Sequence, residues 1–395
     1  MNLKRKKGLL VKVLILTGIL LISTMLLTGC VKGMTAIGWA GVAIDENGNA
    51  YTASKEGRLV SVNLSNNSIQ FAESLKTPSS GGFGCASSAS SSGSACGGSS
   101  TAVAIYGTPA LTNVPVLGNL VYLAGYNGKI FAYDAASLQQ RWVYPVDSYL
   151  GSIVSAITIS GDTLYFGCSD KKLYALDTAT GALKWSFSTG GEIWSSPSVE
   201  GNSVFISSFD KKIYAIDTAT GEKRWEFVTG ATNVSTPVVA NGIVYAGSLD
   251  RNLYALDANS GSLIWKFEGG NWFWTKPVVY NGVIYAPCFD NKVYILDAKT
   301  GNTVAGPFEI DGKISSWPVI MNNKVVFATE NGKLLSLDTT NLSQGPTQVA
   351  TIVNNVTAPL ATSGDIVYIN GSDNTLYGYN ITTGAKQLPV SLKFQ

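Results

Sequence analysis

The residue types on which most enzyme chemistry depends are scarce in this sequence of 395 residues, which contains no histidine. Without histidine the chain lacks Ser-His-Asp and Cys-His nucleophile systems, His-ligated metal centres and an axial histidine for haem. Only 14% of the residues are charged, whereas 42 residues are glycine. This composition excludes the most familiar catalytic machinery and indicates a folded chain of many strands and turns.

Two sets of acidic residues have spacings that invite a metal-site interpretation. Asp45, Asn47 and Asn49 follow the ligand spacing of a calcium loop through to Glu56, but the glycine is fourth rather than sixth. The same segment aligns with hairpin turns elsewhere in the chain. The second set recurs every 40 residues before a turn, where carboxylates accept backbone hydrogen bonds: Asp170, Asp210, Asp250 and Asp290. We predict no metal site in either set.

The cysteines indicate structural roles rather than catalysis. Cys85 and Cys96 fall in a Ser- and Gly-rich stretch, at about 77–101, that is typical of a flexible surface loop. In an exported chain these two cysteines are expected to form a disulfide. Cys168 and Cys288 end equivalent strands three repeats apart. A disulfide needs Cα atoms within about 7 Å, so we expect both to be small buried side chains.

These residues are positioned by an internal repeat with a period of 40 residues. The segment Asp170–Trp185 recurs as Asp210–Trp225 and Asp250–Trp265, with weaker copies on both sides. Inside each unit, apolar and polar residues alternate with a period of two between turn residues, which predicts four short antiparallel strands. In the third unit strands A to D are expected at Ser155–Ser160, Thr163–Cys168, Leu173–Asp177 and Leu183–Ser188.

Four-stranded units of this length bury their faces by stacking radially around an axis. Eight copies can be counted in the sequence. We therefore predict an all-β fold, an eight-bladed β-propeller of four-stranded antiparallel blades, with seven blades as the alternative. The propeller should span residues 30–395, interrupted by the insertion at about 77–101, and should be monomeric.

The amino terminus carries an export signal. Basic residues 4–7 precede an apolar run, Val13 to Leu27, which ends at Leu27-Thr28-Gly29-Cys30. This pattern resembles a bacterial lipoprotein signal peptide at residues 1–29, cleaved before a cysteine that receives lipid. An uncleaved membrane anchor is the alternative. Either form predicts an extracytoplasmic protein held on a membrane, the outer membrane in a diderm cell and otherwise the cell surface.

Cleavage would also change the charge of the protein. Residues 1–29 contain five of the basic residues and no acidic ones, so the formal net charge would fall from +2 to −3. No run of Lys and Arg remains to form an electrostatic footprint for nucleic acid. We therefore expect no nucleic-acid partner.

The repeat carries the pattern A-x-D-x-x-T-G-x-x-x-W at Ala175–Trp185 and Ala215–Trp225, with Ser260 for Thr in Ala255–Trp265 and a looser copy at Ala132–Trp142. This pattern resembles the repeat of the pyrroloquinoline quinone (PQQ) enzymes, in which the tryptophan docks between neighbouring blades. The resemblance implies a structural docking role for four tryptophans: Trp142, Trp185, Trp225 and Trp265. Where Trp is replaced, in blades 1, 6, 7 and 8, docking should be less regular.

A binding site is expected at one mouth of the central channel. Five prolines, about 40 residues apart, mark the start of the innermost strand, an edge strand where proline is tolerated: Pro197, Pro237, Pro277, Pro318 and Pro359. The loops before them form the rim of the mouth. The candidate binding residues on this rim are Trp39, Tyr149, Glu192, Trp194, Asn233, Asn271, Trp272, Trp274, Lys276, Lys313, Trp317, Asn354 and Asn355.

An aromatic rim with scattered amides suits stacking on a flat ligand, a sugar or a peptide. Trp39, Trp194 and Trp274 align at one repeat position, so they could instead pack beneath the mouth. Trp272 breaks this alignment, and we expect it to be the most exposed.

The resemblance to the PQQ enzyme repeat family implies two alternative functions. The quinoprotein dehydrogenases use an adjacent Cys-Cys pair, a calcium held by Glu and Asn, and an Asp base, and none of these can be assigned to a residue of this sequence. The chain more closely resembles the non-enzymatic BamB-type lipoproteins of outer-membrane assembly. That resemblance implies a membrane-anchored scaffold with a protein partner and no cofactor. The alternative is a PQQ-dependent oxidoreductase with calcium, or a quinone or sugar binder, using the same mouth.

Overall fold

The computed structural model describes residues 38, 40–75, 102–352 and 356–394. The predicted signal peptide at 1–29, Cys30, and the predicted insertion at about 77–101 with Cys85 and Cys96 lie outside the described residues, as do the mouth candidates Trp39, Asn354 and Asn355. Within the described part of the chain, no helix is long and apolar enough to cross a membrane.

The described residues form eight four-stranded antiparallel sheets, which are the blades of a β-propeller. Blades 1 to 4 consist of β1 (Ala43–Ile44), β2 (Asn49–Ala53), β3 (Arg58–Asn63), β4 (Ile69–Ser74); β5 (Ala110–Val114), β6 (Gly118–Gly125), β7 (Lys129–Asp134), β8 (Gln140–Tyr144); β9 (Thr158–Ser160), β10 (Thr163–Gly167), β11 (Lys172–Asp177), β12 (Leu183–Ser188); and β13 (Ser198–Glu200), β14 (Ser203–Ser207), β15 (Lys212–Asp217), β16 (Lys223–Val228).

Blades 5 to 8 consist of β17 (Val238–Ala240), β18 (Ile243–Gly247), β19 (Asn252–Asp257), β20 (Leu263–Glu268); β21 (Val278–Tyr280), β22 (Val283–Cys288), β23 (Lys292–Asp297), β24 (Thr303–Glu309); β25 (Val319–Met321), β26 (Lys324–Ala328), β27 (Lys333–Asp338), β28 (Thr347–Thr351); and β29 (Ala361–Ser363), β30 (Ile366–Gly371), β31 (Thr375–Asn380), β32 (Lys386–Ser391). The eight-bladed fold predicted from the repeat is therefore confirmed, and the seven-bladed alternative is wrong.

Within every blade the strands pair in chain order, so each blade is one continuous stretch of chain. In blade 3 the observed B, C and D strands agree with the predicted bounds to within one residue, but strand A begins at Thr158 instead of Ser155. The reason is local. Ser155 Oγ donates to Gly167 O at 2.9 Å and accepts from Gly167 N at 3.0 Å, so a side chain replaces the backbone ladder there.

The hydrophobic core lies between the blades. Phe205 and Trp225 of blade 4, for example, pack in one cluster with Val244, Tyr254 and Leu256 of blade 5. Strands B and C are almost wholly buried because both of their faces meet a neighbouring blade, whereas the outermost D strands alternate between exposed and buried residues. This is the burial pattern expected for radially stacked sheets.

Four tryptophans, which we call the girdle tryptophans, join blades 2 to 6. Each indole N–H donates to a backbone carbonyl of the next blade: Trp142 to Thr178 (3.1 Å), Trp185 to Thr218 (3.0 Å), Trp225 to Ala258 (2.9 Å) and Trp265 to Ala298 (3.1 Å). Each ring also lies against a glycine at positive φ in that blade. A Cβ on Gly181, Gly221, Gly261 or Gly301 would approach the ring to 2.6–2.7 Å.

Blades without this tryptophan dock differently. Phe71 of blade 1 makes an edge contact with Phe394, with ring centroids 5.3 Å apart. In blade 6, Ala305 stands at the tryptophan position, and Phe308 instead lies beside Gly345 of blade 7. The expectation of less regular docking therefore agrees with the contacts of blades 1 and 6.

The ring closes between blades 8 and 1 through side chains. Asn370 Nδ2 donates to Ala40 O at 3.0 Å and to Thr52 Oγ1 at 2.9 Å. Asn374 Nδ2 contacts the Glu56 carboxylate at 3.0 Å. Beneath these hydrogen bonds, apolar residues of the two blades form one buried cluster. Closure therefore needs no strand from one blade to complete the sheet of another.

Candidate binding mouth

In an antiparallel blade, the loop into strand A and the turn between strands B and C lie at the same end. At this end, the mouth, aromatic residues occur four positions before strand A in blades 2, 4 and 6. Each contacts an aromatic residue of the B-to-C turn of its own blade. The centroid distances are 5.2 Å for Tyr106 and Tyr126, 4.7 Å for Trp194 and Phe209, and 5.6 Å for Trp274 and Phe289.

The intervening blades carry smaller residues at the same position, Val154, Val234 and Ser315. Aromatic pairs therefore occur on alternate blades from blade 2 to blade 7, and blade 8 carries Thr357 at this position. Tyr106 was missed by the sequence analysis because the insertion disturbs the repeat register just before blade 2. Its sequence position could have identified it, because Tyr106 lies four residues before strand A, as Trp194 and Trp274 do.

The three predicted tryptophans that belong to the loops of blades 4 and 6 are all half-buried. Trp194 Nε1 donates to Glu192 Oε2 at 2.8 Å, so these two candidates form one unit. Trp272 lies 6.5 Å from Phe289, the ring on which Trp274 stacks. The expectation that Trp272 would stand out as the most exposed tryptophan therefore receives no support, because its ring shares the surroundings of Trp274.

Asn271 fixes the backbone beneath this aromatic cluster. Its Oδ1 accepts from Trp272 N at 2.8 Å, and its Nδ2 donates to Phe289 O at 3.4 Å. The side chain thus joins the loop before strand A to the B-to-C turn. Asn271 therefore positions Trp272 and Phe289 through both of its polar atoms.

Asn233 is not a mouth residue, which corrects the sequence prediction. It is 0% exposed, and its Oδ1 accepts from Thr229 Oγ1 at 3.0 Å. The corresponding positions in blades 4 and 6 hold the buried Ile193 and Phe273. Asn233 therefore occupies a core position beneath the loop, where repeat spacing alone could not distinguish it from a surface amide.

Tyr149 is exposed, at 48% of its surface, and covers a lysine. Lys129 Nζ lies 4.5 Å from the Tyr149 ring centroid and donates to Pro145 O and Val146 O, both at 2.9 Å. Burial lowers the pKa of Lys129. The carbonyls and the ring together satisfy an ammonium group whose residue is only 3% exposed.

A ring of residues, which we call the collar, lies two positions before each innermost strand. Its members are Gly41, Thr108, Ala156, Ser196, Thr236, Lys276, Trp317 and Pro359. Neighbouring members touch: Ser196 Oγ accepts from Ala156 N at 2.8 Å, and Thr236 Oγ1 accepts from Ser196 N at 3.1 Å. A Cβ on Gly41 would lie 2.2 Å from Thr108 and 3.2 Å from Pro359. The collar therefore encircles the channel just inside the mouth.

Two of the predicted mouth residues are the largest members of the collar. Lys276 and Trp317 are adjacent and half-buried, with the lysine Nζ 5.6 Å from the indole. Although part of Lys276 is accessible, burial of its ammonium lowers its pKa. On the rim above, the exposed Lys313 places its Nζ 5.2 Å from the Phe289 ring. Lysines and aromatic rings are thus interleaved on the blade 6 and 7 side.

The repeated aspartates stabilise turns, and Asp210, Asp250 and Asp290 also link blades. Asp210 Oδ1 accepts from Lys212 N at 3.1 Å, as the sequence predicted. Its Oδ2 accepts from Tyr214 OH at 2.6 Å and from Gly190 N at 2.8 Å, and Gly190 belongs to the loop that follows blade 3. Burial and the hydrogen bond from its hydroxyl to Asp210 raise the pKa of Tyr214. These carboxylates are fully engaged in structure.

Within the described residues, no group of three or more Cys, Asp or Glu could hold a metal ion. Cys168 and Cys288 are free and buried, as expected, and their thiols donate to Gly151 O and Asn271 O, each at 3.2 Å. Burial raises the pKa of both thiols to about 12, which makes them unreactive. Asp45 accepts hydrogen bonds from its own turn.

A separate cavity of about 470 Å³ lies at the opposite end of the ring, between blades 1 and 2. Its lining is polar and includes Asp45, Asn63, Asn119 and Asp134. Blade 1 carries Phe71 where other blades carry a girdle tryptophan. The polar lining groups largely hydrogen-bond to one another, as Asn63 does to Asn49 at 3.1 Å, so we assign the candidate site to the mouth.

Eight four-stranded blades with tryptophans of the A-x-D-x-x-T-G-x-x-x-W repeat between them define a PQQ-like repeat β-propeller. A family model described as outer membrane protein assembly factor BamB matches residues 35–231 and 188–387. Because these matches cover most of the sequence, the chain belongs to this family. No curated protein matches the sequence.

Two solved structures show the same fold. BamB from Moraxella catarrhalis is 18% identical, with a TM-score of 0.65 over 88% of this chain and 98% of that chain. A computationally designed protein, Ika8, is 15% identical, with a TM-score of 0.67 over 89% of this chain and 98% of its own. At these identities the likeness is one of fold.

Proposed function

We propose that this chain is a non-catalytic scaffold of the cell envelope, held on a membrane by lipid on Cys30, which binds a protein partner through its mouth loops. The observation that carries the proposal is the set of aromatic pairs at the mouth, represented by Trp194 with Phe209 and Trp274 with Phe289. Large rings held rigidly by stacking are typical anchors of protein interfaces. Membership of a family described as an outer membrane assembly factor supports the same function.

Polar groups around the rings support a protein ligand. Glu192 is held by the Trp194 indole, Asn271 by the loop backbone, and Lys313 extends over Phe289. An apolar centre with a polar rim is the usual arrangement of a protein interface. The described residues of the mouth offer no nucleophile paired with a base, which favours binding over catalysis.

Site-specific photo-cross-linking of the full chain in its native membranes tests this proposal. A photoreactive phenylalanine analogue is placed at Trp272 in the mouth and, as the control, at Leu263 on the outermost strand of blade 5. Leu263 is itself exposed, at 45%. We expect one reproducible protein adduct from position 272 and none from 263. Equal capture at both positions, or no reproducible partner, would contradict the proposal.

The competing function, a PQQ-dependent oxidoreductase, is tested by titrating the purified propeller with PQQ and calcium. The scaffold hypothesis predicts no saturable quenching of tryptophan fluorescence and no turnover with an artificial electron acceptor. Saturable quenching accompanied by turnover would overturn it.

Membrane attachment is tested separately. The unaltered chain should incorporate labelled fatty acid and have the mass of residues 30–395 plus lipid, whereas Cys30→Ala should incorporate none. An unaltered chain that carries no label and retains residues 1–29 would favour the uncleaved anchor instead.

A further inference from the structure

Lys276 is the one charged member of the collar. The other seven members are Gly41, Thr108, Ala156, Ser196, Thr236, Trp317 and Pro359, all uncharged and, apart from Trp317, small. A lysine at this point introduces a positive charge where the repeat otherwise places a short side chain. The ammonium is surrounded closely enough by protein for its pKa to fall.

No carboxylate balances this charge. Among the acidic side chains that the structure describes, none forms an ion pair with Lys276 or Lys313, although nine ion pairs occur elsewhere. The residues that the structure does not describe contain no Asp or Glu. Two mouth carboxylates are engaged by neighbouring groups: Glu192 accepts from the Trp194 indole, and Glu330 of the blade 7 turn accepts from Ser315 Oγ.

A second buried lysine shows how the fold satisfies an ammonium when the charge is purely structural. Lys129 Nζ donates to the carbonyls of Pro145 and Val146 and lies under the Tyr149 ring. Lys276 Nζ makes no hydrogen bond to the described residues and has only the Trp317 ring, at 5.6 Å. Leaving a partly desolvated ammonium without hydrogen-bond acceptors is costly, so an anion that completed the site would bind favourably.

The surroundings of Lys276 define the anion. A single ammonium in the collar matches a single negative charge, whereas phosphate sites usually gather several cations or backbone N–H groups. Trp317 lies beside the ammonium, and Trp272, Trp274 and Phe289 form an aromatic cluster in the neighbouring loop and turn. This combination suits a carboxylate carried on an organic body that can stack against rings.

We propose that the collar binds a carboxylate side chain of the partner protein, with Lys276 as its counter-ion. The carboxylate enters beside Trp317, and an aromatic residue next to it in the partner packs on Trp272 and Trp274. Lys313, exposed on the rim, contributes longer-range attraction. This inference rests on the proposed function, because it specifies what the partner presents to the mouth.

Two capped dipeptides test the chemistry directly: acetyl-Trp-Glu-amide and its neutral counterpart acetyl-Trp-Gln-amide. Binding to the propeller is followed by NMR of the lysine side chains, which also reports the pKa of Lys276. We expect the Glu peptide to bind about tenfold more tightly than the Gln peptide, and to raise the pKa of Lys276 as a carboxylate pairs with it. Equal binding of the two peptides, or no effect on Lys276, would overturn the inference.

Two protein variants locate the effect. Lys276→Met keeps the aliphatic stem and should abolish the preference for Glu over Gln without lowering the melting temperature, because it removes an unpaired buried charge. Lys313→Met, the matched control on the rim, should weaken binding only about twofold. Displacement of the Glu peptide by inorganic phosphate at equal concentration would show a general anion site and would also overturn the inference.

The membrane cross-linking experiment separates this inference from the proposed function. If Lys276→Met loses the adduct at position 272, the collar charge contributes to partner binding. If the adduct persists unchanged in Lys276→Met, the mouth binds a partner by another chemistry and only the carboxylate inference fails. If the chain that carries the photoreactive residue at position 272 and retains Lys276 gives no adduct, the proposed function fails.

Discussion

The girdle and the mouth use the same residue type in different ways. Trp225 in the girdle donates its indole N–H to the next blade and lies on that blade's Gly261. Trp274 at the mouth stacks on Phe289 of its own blade. Contacts between blades hold the ring together, whereas contacts within one loop only shape that loop. The location of the contacting residue, rather than the size of the side chain, therefore separates the girdle tryptophans from the mouth tryptophans.

The largest effect is expected from Trp225→Ala. The change opens a cavity between blades 4 and 5 and leaves Ala258 O without its donor, so the free energy of unfolding should fall by about 3–5 kcal/mol. Chemical denaturation of the purified propeller measures it. Trp225→Phe keeps most of the ring and should cost about half as much. A loss below about 1 kcal/mol for the alanine variant would mean that the girdle does not hold the blades.

Gly261→Ala examines the other side of the same contact. A Cβ there would lie 2.6 Å from the Trp225 ring, and Gly261 has a φ of 72°. Gly242→Ala is the matched control, since it has a φ of 74° but nothing within 4 Å of the added Cβ. We expect the control to lose about 1 kcal/mol and Gly261→Ala about 2–3 kcal/mol by thermal or chemical unfolding. Equal losses would show that backbone strain alone is responsible.

Trp272→Ala provides the contrast at the mouth. Its ring lies at the mouth near Phe289 of its own blade, so the free energy of unfolding should fall by about 1 kcal/mol or less. Recovery of the partner from native membranes should nevertheless fall about tenfold, as for an interface anchor. Melting temperatures as low as those of Trp225→Ala would contradict the separation of roles.

Arg251→Ala sets the baseline for residues outside both regions. Arg251 pairs with Glu268 at 2.6 Å on the outer surface of blade 5, where both side chains are more than half exposed. Removal of the pair should change stability by about 0.5 kcal/mol or less, because exposed ion pairs gain little over water. A larger loss in denaturation experiments would mean that the outer strand contributes to docking.

The fold could be predicted from the sequence because the patterns that specify its strands and turns are local and recur in each blade. Alternating residues, Thr-Gly turns and the 40-residue period predict the strands of blade 3 almost to the residue, and the motif predicts which tryptophans could reach the next blade. The one shifted strand start, at Thr158, arises because Ser155 replaces backbone hydrogen bonds with its hydroxyl.

The candidate site could be predicted less well, because the burial and contacts of its residues depend on residues distant in sequence. Asn233 has the repeat position of a rim amide, yet it is buried and accepts a hydrogen bond from Thr229 Oγ1. The collar forms where eight segments from the whole chain meet. The lack of a hydrogen-bond partner for Lys276 among the described residues could therefore not be predicted from the residues next to it in sequence. Tyr106 was missed because the insertion breaks the period that would have aligned it.

The closure between blades 8 and 1 bears on how such rings change over evolution. Each blade is one uninterrupted segment, and the last blade meets the first through Asn370, Asn374 and an apolar cluster. Duplication or loss of a single 40-residue segment would therefore add or remove a complete blade without leaving an unpaired strand. Blade number in this architecture can change in whole units, limited only by whether the new terminal blades fit one another.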